Sequence, residues 1–426
     1  MSVTRDPPGH GAGPDTAQDK ASLCLLLGRT LFNFGATAQR ILDSVGFLAR
    51  RLGCKVDMLV SYDALLITVH DGTLFRTRID AAHQFAGFDL LGLARVSAWL
   101  RGLQGSQCGA RELEAELCAI RDARSGHSVT AQVFAAACAG AAFCVVNGGD
   151  PVSWAGSFVA AAGIFALRRS LAARNFNVHL TFFCIALAGS LLAGVLARLT
   201  HAATAEIALV APVLFLVPGA PLINGGIEIV RNHITIGIAR VGYALAVLLA
   251  LCLGTGLAIP MVAPHISPPF SLPAPWGIVL ASLAGALAAG ALACLNNGSP
   301  PLIALCALGG LTGRLVRSLV NLGGLNLIAA SLIGALCSTL VVGFIANRFR
   351  WPVVVASVMA ALPMVPGYYA IVGLHALLSF AATSAADPTQ LSDAFHALSR
   401  AVFIAVALVV GVVGPVIILE RNTPRV

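Results

Sequence analysis

The chain has 426 residues, of which 58% are hydrophobic and only 11% are charged. Soluble globular proteins carry roughly 25% charged residues, so this composition excludes an entirely soluble protein and predicts one that is embedded in a membrane. The formal net charge of +8 comes from 27 basic and 19 acidic residues, and only Lys20 and Lys55 are lysines. The arginines lie at the ends of apolar segments, which is typical of membrane topology, and a nucleic-acid partner is not expected.

The first part of the chain predicts a small α+β domain behind a flexible tail. Residues 1–20 are rich in Pro, Gly and Asp and lack the apolar region of a signal peptide, so a disordered tail is expected. Helical spacing, alternating apolar residues and an Asp-Gly hairpin signal then predict elements in the order helix, three strands and two helices. Their predicted ranges are 22–52, 56–60, 65–69, 73–79, 89–103 and 110–124, within a domain at 21–127.

Beyond residue 127 the composition changes to uncharged stretches of about 20 residues, the length that crosses a hydrocarbon core of roughly 30 Å. We predict a polytopic α-helical membrane domain with ten transmembrane helices. The apolar segments are 128–146, 151–167, 178–197, 207–227, 236–259, 276–295, 301–320, 325–346, 352–374 and 397–419. Prolines interrupt the fourth and the ninth segments, and two arginines lie inside the seventh.

The distribution of arginines predicts the orientation in the membrane. If the N-terminal domain is cytoplasmic, most loop arginines fall on the inner side, as the positive-inside rule requires. Both termini are therefore expected in the cytoplasm.

The membrane domain contains an internal repeat with a shift of about 150 residues. Residues 139–151 (AGAAFCVVNGGDP) align with residues 289–301 (AGALACLNNGSPP). Three further matches follow in order: Arg169-Ser170-Leu171 with Arg317-Ser318-Leu319, Gly194 and Ala197 with Gly343 and Ala346, and Val217-Pro218-Gly219 with Val365-Pro366-Gly367. Because each repeat (128–274 and 275–421) holds five spans, the second copy should enter the bilayer upside down, which predicts the 5+5 inverted repeat of secondary transporters.

Paired Pro-Gly sequences mark the predicted transport site. Pro218 and Gly219 should unwind the fourth span near the middle of the membrane, and Pro366 with Gly367 should do the same in the ninth. A pair of broken helices in equivalent positions is the best sequence indication of a central substrate site, whereas a single break could merely ease packing.

The fourth span also carries polar residues beyond its break. Asn224 and Glu228 are four residues apart and should share a helix face, and Arg231 follows Glu228 at a spacing that allows an ion pair. Glu228 is the candidate for proton coupling, because a carboxylate beside a membrane cavity can gain and lose a proton. The alternative, an ion pair at the end of the helix, stays open.

Other polar residues have simpler interpretations. Asn147 and Asn297, each followed by Gly, should cap the first helix of each repeat, with substrate contact as the alternative. Asp150 should lie in a loop or cap a helix. Arg314 and Arg317 should face the protein interior or reach toward the membrane surface, and binding of a substrate carboxylate is the less favoured alternative.

Sequence patterns for enzymes and for cofactors are missing. The chain has no H-E-x-x-H, G-x-S-x-G or P-loop sequence, and its eleven cysteines include no C-x-x-C pair. Neither an enzymatic activity nor a cofactor or metal is predicted.

Several of these motifs together resemble the threonine/serine exporter family. They are FGATAQRI (34–41), FRTRI (75–79), the ten spans and LVPGAPLINGGIEI (216–229). Gly35, Ala36 and Arg40 fit the Gly-Ala-x-x-x-Arg pattern of that family, and Pro218, Gly219 and Asn224 fit its broken helix. Position 228 is Glu where many members have Asp.

The resemblance implies an inner-membrane carrier that exports threonine, serine or a similar small solute, driven by the proton-motive force. Its partners would be the amino-acid substrate, protons and the lipid bilayer, and a homo-oligomer is an open expectation. Gly35 and Arg40 could form a sensing surface in the N-terminal domain or serve its structure alone. A carrier of another small organic acid, a channel and a membrane-embedded receptor are the alternatives.

Overall fold

The structure is a computed structural model that describes residues 16–81, 88–103, 108–123, 126–174, 176–262, 269–382 and 388–421. Most of the predicted tail, residues 1–15, lies outside these ranges. The first helix begins at Ala17, before the predicted boundary at residue 21, because Thr16 and Asp19 form a reciprocal capping box at its start.

The N-terminal domain, residues 16–127, contains four helices and one antiparallel sheet with strand order β1-β2-β3. Its strands fall within three residues of the predicted ranges, and one face of the sheet packs on the first helix. The elements are α1 (Ala17–Asn33), α2 (Ala38–Arg51), β1 (Lys55–Val60), β2 (Ala64–Asp71), β3 (Leu74–Ala81), α3 (Leu90–Gly102) and α4 (Ala110–Asp122).

The prediction of one helix over residues 22–52 is wrong, because the chain breaks between α1 and α2. Gly35 adopts a left-handed conformation with φ of 84°, which a helix cannot contain and which glycine adopts without strain. The side chain of Thr37 then accepts a hydrogen bond from the backbone N–H of Arg40 and starts α2. Apolar periodicity continues across the break since both helices contribute to the same core.

The membrane domain contains the helices that follow residue 128. Among the described residues, eight single helices are long and apolar enough to cross a membrane, and two bent helix pairs raise the number to as many as ten. The helices are α5 (Val129–Val146), α6 (Pro151–Ala173), α7 (Val178–Leu199), α8 (Ala205–Leu214), α9 (Gly219–Val230), α10 (Ile234–Val262), α11 (Ala274–Leu295), α12 (Pro300–Leu322), α13 (Leu327–Phe349), α14 (Val353–Ala361), α15 (Gly367–Ala382) and α16 (Pro388–Arg421).

The two interrupted spans are broken where the prolines predicted. The first break, residues 215–218, separates α8 from α9, which are inclined to each other by 58°. The second break, residues 362–366, contains a short 3-10 turn and bends the chain by 50° before α15.

Helices α5–α10, the first half, and α11–α16, the second half, have matching neighbours. In the first half α6 packs on α5, α7 and α8, and in the second half α12 packs on α11, α13 and α14. The half-helix after each break also contacts the other half of the membrane domain: α9 contacts α16, and α15 contacts α10.

Helices α5 and α11 lie against each other and run in opposite directions. The backbone N–H of Phe270, just before α11, donates to the carbonyl of Gly148, just after α5, over 2.7 Å. At the other end of this helix pair, the backbone N–H of Leu90 in the N-terminal domain donates to the carbonyl of Asn296 over 3.0 Å. The N-terminal domain therefore lies on the side where α5 begins and α11 ends.

Candidate functional site

A cavity of about 700 Å³ lies between the two halves and is lined by both breaks. Residues 214–221 and 362–369 form two of its walls, which brings Pro218, Gly219, Pro366 and Gly367 into one site. Further polar and aromatic lining includes Asn147 after α5, Tyr243 of α10, Asn297 after α11, and Arg314 and Arg317 of α12. The sequence therefore identified residues that the fold does bring together.

Both breaks have the same local geometry. The N–H of Gly219 donates to the carbonyl of Val217 over 2.7 Å, and the N–H of Gly367 donates to that of Val365 over 2.9 Å. These bonds close three-residue turns with proline in the centre, and Pro218, with φ −76° and ψ 56°, lies close to the inverse γ-turn conformation. The repeated Val-Pro-Gly sequence thus encodes a repeated turn.

The two breaks also touch each other through their glycines. A Cβ atom at Gly219 would lie 3.0 Å from side-chain carbons of Leu362 and Val365. A Cβ atom at Gly367 would lie 3.1 Å from Val217. A side chain at either glycine would therefore require the facing side chains to shift where the breaks cross.

Two arginines of α12 face the protein interior at the cavity. Arg317, only 6% exposed, donates from Nη1 to the carbonyl of Met364 in the second break over 3.2 Å. Arg314 donates from Nη2 to the carbonyl of Val146 at the end of α5 over 3.4 Å. Neither guanidinium forms an ion pair with a carboxylate among the described residues.

The cavity has a strongly positive lining. Arg168 of α6 is the third arginine there, with its guanidinium carbon 5.5 Å from the centre of the Phe182 ring. The described lining includes no Asp or Glu that could balance the three charges. Arg317 is buried and Arg314 partly buried without a carboxylate partner among the described residues, which is costly, so this arrangement is suited to a negatively charged solute.

The repeated asparagines are offset by one residue from the sequence alignment. The side-chain Nδ2 of Asn147 donates to the carbonyl four residues earlier over 2.7 Å, and Asn296 does the same at the end of α11. Asn297 instead adopts φ of 56° and so takes the place of Gly148, whose φ is 84°. The helix ends therefore pair Asn147 with Asn296, and the expectation for Asn297 as its equivalent was wrong.

Glu228 lies outside the cavity lining, at the contact between α9 and the N-terminal domain. Its Oε1 accepts a hydrogen bond of 2.7 Å from the backbone N–H of Ala38 at the start of α2. The ion pair that the structure gives Glu228 is with Arg240 of α10, at 3.8 Å, rather than with Arg231 as its spacing suggested. The ion pair shown is thus a buried one between two helices and not the helix-end pair with Arg231 that the sequence left open, and proton coupling at Glu228 stays a prediction.

Arg240 is the residue of this contact that sequence reasoning missed. It is 2% exposed and donates from Nη2 to the carbonyl of Ala36 over 2.9 Å. The available signal was an arginine inside the apolar segment 236–259, because a charge there must have a buried partner. Asn224, 1% exposed on the same face of α9 as Glu228, also lies outside the lining, and its amide atoms have no hydrogen-bond partner among the described residues.

Gly35 and Arg40 both occupy structural positions in the N-terminal domain, and a sensing surface there stays a prediction. Gly35 makes the break that brings Ala36 and Ala38 to the membrane domain, and Arg40 donates from Nη2 to the side-chain oxygen of Ser97 in α3 over 2.6 Å. Neither residue lines the cavity, whereas Phe88, just before α3, does. No sequence pattern indicated that the domain reaches the cavity.

Asp150 caps a helix, which was one of its two predicted positions. It precedes α6, is 6% exposed and accepts a hydrogen bond from the backbone N–H of Thr204 over 3.1 Å. Burial raises the pKa of this carboxyl, but hydrogen bonds from the side chains of Ser153 and Thr204 and from backbone N–H groups outweigh that effect and lower the pKa below 3.8.

The spans and the cavity between two broken helices define a multi-pass membrane transport protein. The chain belongs to the threonine/serine exporter family. Residues 22–262 match a family described as "Putative threonine/serine exporter", and residues 278–418 match one described as "Threonine/Serine exporter, ThrE". The boundary between the two matches falls between α10 and α11, where the first half ends.

Two curated relatives are similar to little more than half of the chain. One is "Probable succinate transporter subunit YjjP" of Escherichia coli (strain K12), 29% identical over 253 residues, which are 57% of this chain and 96% of the relative. The protein of the same name in Klebsiella aerogenes is 27% identical over 246 residues, 56% of this chain and 92% of the relative. No solved structure matches the chain.

Proposed function

We propose that this protein is a secondary carrier that exports a small carboxylate-bearing solute through the cavity between its halves. The observation that carries the proposal is the cavity itself: both breaks line it, three arginines enter it, and its described lining holds no carboxylate. A carrier needs a central site that two movable halves can expose in turn, and broken helices supply such a site.

The proposal includes a 5+5 inverted repeat. It is supported by the antiparallel contact of α5 with α11, the matching neighbours of α6 and α12, and the turn that both breaks share. Two similar halves in opposite orientation can exchange conformations, which opens the site first to one side and then to the other.

The charge of the cavity favours an organic acid as cargo. A dicarboxylate offers two groups to Arg314 and Arg317, and an Arg–carboxylate pair can form two parallel hydrogen bonds. The name of the relatives, a probable succinate transporter subunit, agrees with this choice. Threonine or serine, which the family description favours, is the second candidate; its carboxylate would fit, but its ammonium group would need backbone carbonyls as partners.

The proposal also includes the orientation of the protein in the membrane and the energy source for export. We place the N-terminal domain in the cytoplasm, because arginines flank the helices on its side, and the membrane is then a bacterial inner membrane. Export would be coupled to the proton-motive force. The described cavity lining contains no carboxylate, so we assign the proton to no residue of the site.

Efflux from proteoliposomes loaded with labelled succinate, threonine or serine tests the function. The proposed carrier should release succinate against a gradient, and an uncoupler should stop this release. Flux that only follows the gradient would identify a channel. A cargo-dependent change in the N-terminal domain without flux would identify a receptor, and faster efflux of threonine than of succinate would favour the amino-acid candidate.

Arg317→Gln tests the cargo site directly. The variant should lower kcat/KM for a dicarboxylate by about 10- to 100-fold, because a hydrogen bond between charged groups contributes roughly 1.5–3 kcal/mol. The matched control is Arg198→Gln, which removes an exposed arginine at the end of α7, away from the cavity lining. Equal losses in both variants would contradict a specific role for Arg317.

A further inference from the structure

The N-terminal domain touches both halves of the membrane domain on one side. Its contacts with the first half include Ala38 to Glu228, Ala36 to Arg240 and Gln39 to His233. Its contacts with the second half are hydrogen bonds to backbone carbonyls that follow α11 and α13. Any relative movement of the halves on this side must therefore break one set of contacts.

The contact with the first half is deeply buried and charged. Glu228 and Arg240 are 0% and 2% exposed, and their charged groups bond to the backbone at Ala38 and Ala36. Glu228 also places a negative charge at the N-terminus of α2, where the helix dipole favours it. Separation would remove the backbone partners of both buried side chains and leave only the 3.8 Å ion pair between them, which is unfavourable.

Among the described residues, three hydrogen bonds to backbone carbonyls connect the domain to the second half. Leu90 donates from its backbone to Asn296 over 3.0 Å, and His127 Nε2 lies 2.7 Å from the carbonyl oxygen of Gly298. Arg101 donates from Nη1 to the carbonyl of Arg350 over 3.3 Å. Donors and acceptors of this kind can be satisfied by water when they separate, so this set is the easier one to break.

The domain also reaches the cavity. Phe88, 7% exposed, lines the cavity and lies two residues before Leu90, the donor to Asn296. When Leu90 leaves Asn296, Phe88 must leave the cavity with it, since the start of α3 carries both residues.

We infer that the N-terminal domain is a gate, which moves with the first half and opens its side of the cavity by releasing the second half at Asn296, Gly298 and Arg350. This inference rests on the proposed carrier function, because a gate has a role only if the cavity opens to that side. It gives the domain a part in the transport cycle.

Matched variants can remove the hydrogen bonds between the N-terminal domain and the second half without disrupting the core of the domain. Leu90→Pro deletes the donor N–H, and proline is compatible with this position because Leu90 is the first residue of α3 and Asp89 before it is extended. Leu90→Ala shortens the same side chain but keeps the N–H. His127→Ala likewise deletes a hydrogen bond that His127→Gln can keep. The released protein is Leu90→Pro with His127→Ala, and the control is Leu90→Ala with His127→Gln.

The readout is access to the cavity from the domain side. A cysteine is introduced by Phe165→Cys on α6, where the residue is 8% exposed and lines the cavity. Its reaction with a membrane-impermeant maleimide, added on the domain side of reconstituted protein, is followed by site-resolved mass spectrometry. Labelling should be about tenfold faster in the released protein than in the control, as expected for the loss of two hydrogen bonds.

Equal labelling of the released protein and the control would overturn the gate. So would faster labelling only from the opposite side. Arg101→Ala is a milder second variant, for use if the released protein does not fold, and it should raise labelling in the same direction. The measurement needs no cargo, so failed efflux would refute the proposed function alone, whereas unchanged labelling would refute the gate alone.

Discussion

At the scale of single residues, Asp150 shows how the membrane domain uses a buried carboxylate outside the cavity. Its backbone N–H donates to Thr204 Oγ1 over 2.8 Å, while its side chain accepts from the backbone N–H of Thr204 and from Ser153. Asp150 thus joins the start of α6 to the residue that precedes α8. A charged acceptor with this many donors stabilises the fold only while it is ionised.

Replacement of Asp150 by Ala should lower the free energy of unfolding by about 1–3 kcal/mol at neutral pH, because the helix cap and buried hydrogen bonds are lost. The folded-state pKa lies below 3.8, so the contribution is complete at neutral pH, falls as the pH drops below 3.8 and is gone below the folded-state pKa. Thermal unfolding in detergent at pH 7 and in the acid range measures both effects. Asp393→Ala, at an exposed position of α16, is the control and should change neither.

At the scale of secondary-structure elements, the crossing of the two breaks is a close contact between the two halves at the cavity. Gly219 faces Leu362 and Val365, and Gly367 faces Val217, so each break packs against the other at the cavity wall. A movement of α9 relative to α15 therefore changes the shape of the site directly.

The double substitution Pro218→Ala with Gly219→Leu should abolish efflux while leaving membrane insertion intact. Alanine allows the helix to continue through the break, and leucine adds atoms where even a Cβ would lie 3.0 Å from the second break. Gly242→Leu is the matched control, because a Cβ at Gly242 has nothing within 4 Å. Normal efflux by the double variant would remove the crossing from the transport mechanism.

Local sequence features were sufficient to predict the secondary-structure elements but not the contacts between them. The prolines at 218 and 366 and the apolar lengths predicted the spans and their breaks, because these depend on nearby residues. The partners of Glu228 could not be predicted, since Ala38 is 190 residues away and Arg240 lies on another helix. The orientation of Arg314 and Arg317 toward the cavity depends on how α12 packs, which no local pattern encodes.

At the scale of the whole molecule, the two halves are nearly separate units that share the cavity. Each half packs chiefly on itself, and the family matches divide at the segment between α10 and α11. The relatives named as transporter subunits are similar to little more than half of this chain. In this protein a single polypeptide contains both halves of the membrane domain, which pack against each other at one interface.

Cutting the chain between residues 262 and 274 and expressing the two pieces together should give a complex that purifies as one species and retains efflux. The contact of α5 with α11 and the bonds of the N-terminal domain to the second half should hold the pieces together. A cut at Gly323-Gly324, within the second half between α12 and α13, is the control and should impair assembly far more. Independent purification of the two pieces after the first cut would contradict this expectation.

The acceptors that the N-terminal domain uses on the second half are carbonyl oxygens of the main chain at positions 296, 298 and 350. Amino-acid replacement alters side chains and leaves such oxygens in place, provided that the local backbone path is kept. The docking surface can therefore survive extensive divergence of the second half. Recognition through the backbone would allow one domain to operate with many versions of its partner, whether they share a polypeptide or are made separately.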